Sequence, residues 1–315
     1  MKNIIFFILF CTCSCWANLK IAFISDSSLM QVNSAIFNGI KNTAKELSAT
    51  SGKQIKVELF LASNAVEEAD LLSKALINGY SGAVVYPIDS ANISPKISEL
   101  KKSGFPVVVV GRNIKSSDAL SFVGTNCDKY EALIQYVLEK RSEVNTKIAC
   151  YFKGNSLQNV DIEDTAKIDE LFASLMELSK IKECLKNKVM SVDVIDFYSV
   201  YAEKNKIDIM RRDSYGEIFF SPQILSNMQP IQPDTDRVFA LCIGALPMLE
   251  FYFATNSITD CIYDDYYGWG VFALRAIVFN KTFKNTVKKE YLLNPIHVKK
   301  ENYKVFVADW QKWLR

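Results

Sequence analysis

The chain has 315 residues, 49% hydrophobic and 23% charged, with 37 Lys+Arg against 35 Asp+Glu for a formal charge of +2. This composition excludes disordered, collagen-like and coiled-coil chains, and the near balance of charge leaves no electrostatic footprint for nucleic acid. The lone histidine, His297, argues against His-based triads, His-rich zinc sites and schemes with two imidazoles, so no enzyme activity, cofactor or metal is expected.

Residues 1–17 read MKNIIFFILFCTCSCWA: one lysine, an apolar run from Ile4 to Phe10, then small residues and Ala17. That order describes a secretory signal peptide, and it predicts an exported, periplasmic protein that starts at Asn18. The apolar run is too short for a helix across a bilayer, which needs about 20 residues. Cys13 and Cys15 lack the upstream leucine of a lipid-attachment site. Beyond the leader lie Cys127, Cys150, Cys184, Cys242 and Cys261, an odd number with no CxxC spacing. Cys150, Cys242 and Cys261 stand in apolar runs, where cysteine behaves as a small hydrophobe.

From Leu19 the chain alternates short apolar runs with helical patterns. LKIAFIS (19–25) predicts a strand, and Val32, Ile36, Ile40, Ala44 and Leu47 set a helix over 30–48. Strand 57–62, helix 66–78 ended by Gly79, strand 82–87, helix 92–103 ended by Gly104 and the valine strand 106–111 follow. Uniformly apolar strands between helices predict a parallel sheet covered on both faces. A strand and turn at 121–126, helix 128–141, strand 147–154, helix 164–182, strand 189–197, helix 199–211 and strand 216–221 continue the pattern. A turn-rich loop at 229–236, strand 238–243, helix 245–255, strand 259–264, helix 269–280 and a tail 293–315 complete it. A single core rarely exceeds about 250–300 residues, so two lobes are expected.

Seven segments in order resemble the type I periplasmic solute-binding proteins, the family of ribose- and galactose-binding proteins and of the lac-repressor ligand domain. They are LKIAFIS, NGIKNTAKEL (38–47), ALINGYSGAVVYPIDS (75–90), SGFPVVVVGRN (103–113), SFVGTN (121–126), DDYYGWGVFALRAI (264–277) and NPIHVKKEN (294–302). The resemblance implies an α/β fold of two similar doubly wound parallel-sheet lobes joined by three crossover strands, near 121–126, 260–265 and 292–296. The amino-proximal lobe would hold 18–122 plus 265–292, and the carboxy-proximal lobe 123–264 plus 293–315. Function in this family is hinge closure on a ligand, which binds beyond the carboxyl ends of the strands.

Candidate ligand-binding residues follow from that placement. Asp26 and Ser27 after the first strand either bond ligand or cap the next helix. Ser63 and Asn64 carry the same two readings, with capping favoured at Asn64; Asp89 is expected to cap helix 92–103. Arg112 ends an apolar strand where it has no core role, and its five donors suit hydroxyl, carboxylate or phosphate oxygens; the alternative is a salt bridge. Family members that bind sugars often pair this arginine with an Asp, where this chain has Gly111. Gln223 and Asp264 stand where the family places further ligand contacts. Tyr263, Tyr266, Tyr267 and Trp269 either stack on ligand or pack the hinge. The reading is a monomeric periplasmic protein that captures a small polar, carbohydrate-like ligand between its lobes and presents it to an ABC permease. The alternative is a sensing protein that docks on a membrane sensor kinase. No motif such as GxSxG or HExxH supports an enzyme, and no helix-turn-helix precedes the first strand to read DNA.

Overall fold

The structure, a computed structural model, describes residues 18–114, 118–141, 146–152, 189–196, 216–226, 239–283 and 286–314. The expected leader, the helices expected over 164–182 and 199–211, the loop at 229–236 and Cys184 lie outside these residues, as does the side chain of Cys150.

The first half alternates strand and helix. β1 (Leu19–Asp26) leads through a 3-10 turn (Ser27–Leu29) into α1 (Met30–Ser51). β2 (Ile55–Ala62), α2 (Ala65–Ile77), β3 (Gly82–Val85), α3 (Ser90–Lys102), β4 (Val107–Val110) and β5 (Ser121–Thr125) follow. Then come α4 (Cys127–Arg141), β6 (Thr146–Phe152), β7 (Val189–Asp196), β8 (Gly216–Phe219), α5 (Pro222–Ser226), β9 (Phe239–Ile243), α6 (Leu249–Ala254) and β10 (Asp260–Tyr263). α7 (Tyr266–Val278) runs into a π-helical turn, and β11 (Glu290–Leu293), β12 (Ile296–Lys299) and α8 (Tyr303–Trp313) close the chain.

Among the described residues the strands form two six-stranded sheets, β11-β5-β4-β3-β1-β2 and β12-β10-β9-β8-β6-β7. Every pair in the first sheet is parallel. In the second, β12 alone among the described strands runs antiparallel, against β10. The chain passes from the first sheet to the second after β5, returns after β10 and passes again after β11. Three strand ends therefore connect two similar α/β lobes.

The valine-rich strands explain the two-faced covering. Successive strand residues point to opposite faces, so Ile21, Phe23, Val84, Val108 and Val110 join one core with α1 and α7. Ala22, Ile24, Ala83, Val85, Val107 and Val109 join the other with α2 and α3. Each valine, isoleucine or phenylalanine among them stabilises the fold by about 1.5–3 kcal/mol relative to exposure. α2 and α3 end as expected: Gly79 and Gly104 follow them with φ of +72° and +71°, a left-handed conformation that caps helix carbonyls and favours glycine. A Cβ on Gly104 would meet nothing within 4 Å. Gly104→Ala is therefore expected to cost about 1 kcal/mol from backbone strain alone, measured by urea denaturation; a larger loss would mean that packing is also involved.

The expected tail 293–315 contains a helix that the sequence reading did not resolve. Phe306 and Trp310 of α8 are buried, and the Trp313 carbonyl accepts a hydrogen bond from Asn38 of α1. Tyr267 of α7 stacks on Trp313 at 5.7 Å. The last helix, which follows a strand of the second sheet, thus also touches two helices that cover the first. The buried thiols of Cys242 and Cys261 are free and fully inside, and burial pushes both well above the usual thiol range. Their role is packing, as expected; Cys127 is free and exposed.

Candidate functional site

The carboxyl ends of β1, β2, β3 and β4 carry four loops, and most of the sequence-predicted residues stand on them. Asp26 caps the 3-10 turn, its carboxylate accepting from Ser28 N at 2.7 Å; Ser27 lies within that turn. The capping is one turn earlier than expected, since α1 itself begins without a side-chain cap. Buried Asn33 locks the arrangement: its Nδ2 donates to Asp26 O at 2.6 Å, and its Oδ1 accepts from Ser25 Oγ at 2.6 Å. Asn64 caps α2, accepting from Glu67 N at 2.9 Å, while Glu67 accepts from Ser63 N and Oγ. The Ser63 hydroxyl and amide hold the exposed Glu67 carboxyl below the usual range, outweighing a smaller desolvation that raises it. Asp89 caps α3 as expected, accepting from Ala91 N and Asn92 N.

Arg112 leaves β4 beside Gly111, whose φ is +74°. A Cβ on Gly111 would lie 2.8 Å from the Tyr86 ring and 2.9 Å from the Trp269 ring. The space next to the arginine is thus taken by two aromatics, and only glycine fits both the backbone and the rings. Arg112 Nη1 donates to Ile88 O at 2.6 Å and to Pro87 O at 3.3 Å, and the guanidinium lies 5.9 Å from the Tyr86 ring centre. Its Nε–H and Nη2 hydrogens make no bond to the described residues.

An aromatic chain connects this arginine with the β10–α7 crossover. Tyr86 meets Trp269 edge-on at 6.1 Å, Trp269 meets Tyr266 at 5.3 Å, and Tyr266 meets Tyr263 at 6.0 Å. Tyr263, Tyr266 and Trp269 are buried, so of the two expectations for them the packing role is the one realised. Tyr266 N donates to Asp264 O at 2.8 Å. The Asp264 carboxylate accepts from Thr125 Oγ1 at 2.5 Å, which ties the end of β10 to the end of β5. Its Oδ2 bonds none of the described residues. Burial raises the Asp264 carboxyl above the usual range, against the Thr125 bond that lowers it. Neighbouring Asp265 caps α7 through Gly268 N at 2.8 Å, and burial raises it as well. Gln223 stands exposed on α5, in the second lobe, its backbone N–H donating to Ser221 Oγ at 3.3 Å and its side-chain Oε1 lying 3.3 Å from the same hydroxyl.

One residue of this region escaped the sequence reading. Glu68, in the first turn of α2, is fully buried, and its two carboxyl oxygens lie 3.2 Å from Ile88 N. Burial, with smaller contributions from Asp26 and Asp89, pushes its carboxyl up to about 8, opposed by the Ile88 amide and Arg112. Within VEEAD it reads as one more surface charge, yet Glu68, Leu72 and Ala75 share a helical face and are all buried. That spacing was the available signal.

No protein-family model matches this sequence, and no curated protein does. Solved structures do match over nearly the whole chain. A sugar-binding protein of a sugar ABC transporter from Bacillus halodurans is 15% identical, with a TM-score of 0.70, covering 92% of this chain and 100% of its own. A periplasmic ribose ABC transporter protein from Conexibacter woesei is 13% identical, with a TM-score of 0.66 and coverage of 95% and 98%. A putative LacI transcriptional regulator from Bacteroides fragilis is 13% identical, with a TM-score of 0.67 and coverage of 91% and 99%. The chain therefore has the two-lobed α/β fold of the type I periplasmic sugar-binding proteins.

Proposed function

We propose that this chain is an exported solute-binding protein that takes a small polar, carbohydrate-like ligand between its lobes and presents it to an ABC permease. The observation that carries the reading is the pairing of unspent hydrogen-bond capacity at the cleft end of the fold. Arg112 holds N–H donors not used by the described residues, and Asp264 holds a carboxylate oxygen not used by them. A donor set and an acceptor joined by one aromatic wall suit hydroxyl-bearing ligands, whose groups both give and accept hydrogen bonds. Asp26, Ser27, Asn64 and Gln223 form the polar rim in this reading, with Asp26 and Asn64 also serving as caps. Periplasmic location and export through the 1–17 leader belong to the same proposal, as do the monomeric state and the absence of catalysis.

A specific observation favours a second reading, a sensing protein for a membrane kinase. Gly111 and its two packed rings occupy the place where sugar binders of the resembled family often keep an acidic residue, so the ligand is read with one acceptor fewer. An ABC permease encoded beside this chain supports capture for transport; a sensor kinase there supports sensing.

Ligand binding is expected to shift an open–closed equilibrium of the lobes. Melting temperature and small-angle scattering with D-ribose, D-galactose, D-glucose and D-arabinose check it. At about 100 times its Kd a ligand stabilises by about 2.7 kcal/mol, a rise of several degrees, and the radius of gyration should fall. A sugar that raises the melting temperature without compaction would refute closure, and no response to any of the four would refute the carbohydrate assignment.

A further inference from the structure

We propose that Glu68 is a proton-dependent positioning residue for Arg112: through Ile88 it holds the loop that braces the guanidinium, and its ionisation sets how much of the arginine's charge is left for a ligand. The proposal rests on reading Arg112 as the ligand donor. Ile88 is gripped from both sides. The Glu68 carboxyl accepts from its N–H at 3.2 Å, and Arg112 Nη1 donates to its C=O at 2.6 Å. A buried carboxyl at the fourth position of a helix is costly without a partner, and among the described residues its one hydrogen-bond partner is this amide. The charged groups that face it are Arg112 from the end of β4, Asp26 from the end of β1 and Asp89 from the cap of α3. Glu68 thus bonds the loop after β3 whose carbonyls Arg112 also holds, while Asp26 and Asp89 act on it as like charges.

With Glu68 protonated, its negative charge no longer faces Arg112, so more of the guanidinium's charge is directed at whatever enters the cleft. The carboxylate formed at higher pH pairs electrostatically with the arginine and competes with an oxygen of the ligand. With its carboxyl held up to about 8 against an ordinary value of 4.5, Glu68 binds a proton in the folded chain through a window where the unfolded chain has lost it. Its contribution to stability is complete below about pH 4.5 and is lost as the pH rises toward about 8. Glu68→Gln removes that slope.

The test is made on the full chain without ligand, so its outcome is independent of what the cleft takes. The Arg112 Nε–H and Ile88 N–H resonances are followed by NMR between about pH 6 and 10 in wild type, Glu68→Gln and Glu68→Ala. In wild type both signals should move with one shared midpoint, that of the Glu68 carboxyl carbon. In Glu68→Gln the Arg112 step should vanish while the Ile88 amide stays protected, because the glutamine oxygen accepts the same bond. In Glu68→Ala the Ile88 amide should exchange at least about tenfold faster. An Arg112 step that persists in Glu68→Gln, or an Arg112 signal that stays flat while wild-type Glu68 titrates, would overturn the proposal. Either result would leave the binding reading standing, whereas failure of the scattering experiment would leave this coupling intact.

Discussion

Gly39→Ala and Gly270→Ala are each expected to destabilise the protein by about 2–3 kcal/mol, among the larger losses available to a single added methyl group. The two glycines sit where α1 and α7 cross with their backbones in contact. A Cβ on Gly39 would lie 2.2 Å from the Tyr267 carbonyl oxygen and 3.2 Å from Val271 N. A Cβ on Gly270 would lie 2.1 Å from the Ile36 carbonyl oxygen and 2.9 Å from Ile40 N. These obstacles are backbone atoms, which cannot rotate away as a side chain would. The helices must separate, and separation loosens Ile36, Ile40, Ala273 and Leu274, all buried at under 1% exposure in the core over the first sheet. Alanine returns about 1 kcal/mol of helix propensity over glycine, which is why the net loss is not larger. The crossing also joins the first half of the chain to the segment that returns to the first sheet after β10, so its weakening should loosen the amino-proximal lobe as a unit. Urea denaturation checks it: a midpoint equal to wild type at unchanged slope would show that the helices do not approach this closely.

Arg112→Ala should weaken ligand binding by about tenfold to a hundredfold, since a hydrogen bond to a charged group contributes about 1.5–3 kcal/mol. The loss has two sources. The donors offered to ligand disappear, and so does the bracing of Pro87 O and Ile88 O. Arg112→Lys separates them, because an ammonium keeps the charge without the planar fork; it should recover part of the affinity. The side chain is only partly buried and its bonds go to two loop carbonyls, so the melting temperature without ligand should change little. Calorimetric titration of both variants with whichever sugar compacts the wild type decides the matter. An unchanged Kd in Arg112→Ala would remove the arginine from the site.

Much of the fold was legible because it follows from local rules. Strands β1 to β4 are short apolar runs, and the helices between them repeat apolar residues at helical spacing, so their type and order need only periodicity. Gly79, Gly104 and Asp89 marked helix ends for reasons of backbone conformation and capping that act within a few residues. α7 begins at Tyr266, three residues before the expected start, because Asp265 caps it through Gly268 N; the aromatic run YYGW hid that boundary. α8 was passed over although Phe306 and Trp310 lie on one face.

The site was less legible, because its logic is long-range. Arg112 stood out by chemistry alone, as a cation closing an apolar strand. That Gly111 makes room for Tyr86 and Trp269, that Asp264 bonds Thr125, and that Glu68 is interior could not be read locally. Composition, periodicity and capping signals are short-range, and they were enough for the α/β alternation, the two-faced sheets and the cation at the end of β4. Partners that meet across the chain, such as Gly39 with Tyr267, Thr125 with Asp264 and Glu68 with Ile88, exist only once the sheets are assembled. Burial and electrostatic coupling depend on every neighbour at once, and that is why the environment of each candidate group emerged from the fold and not from its place in the chain.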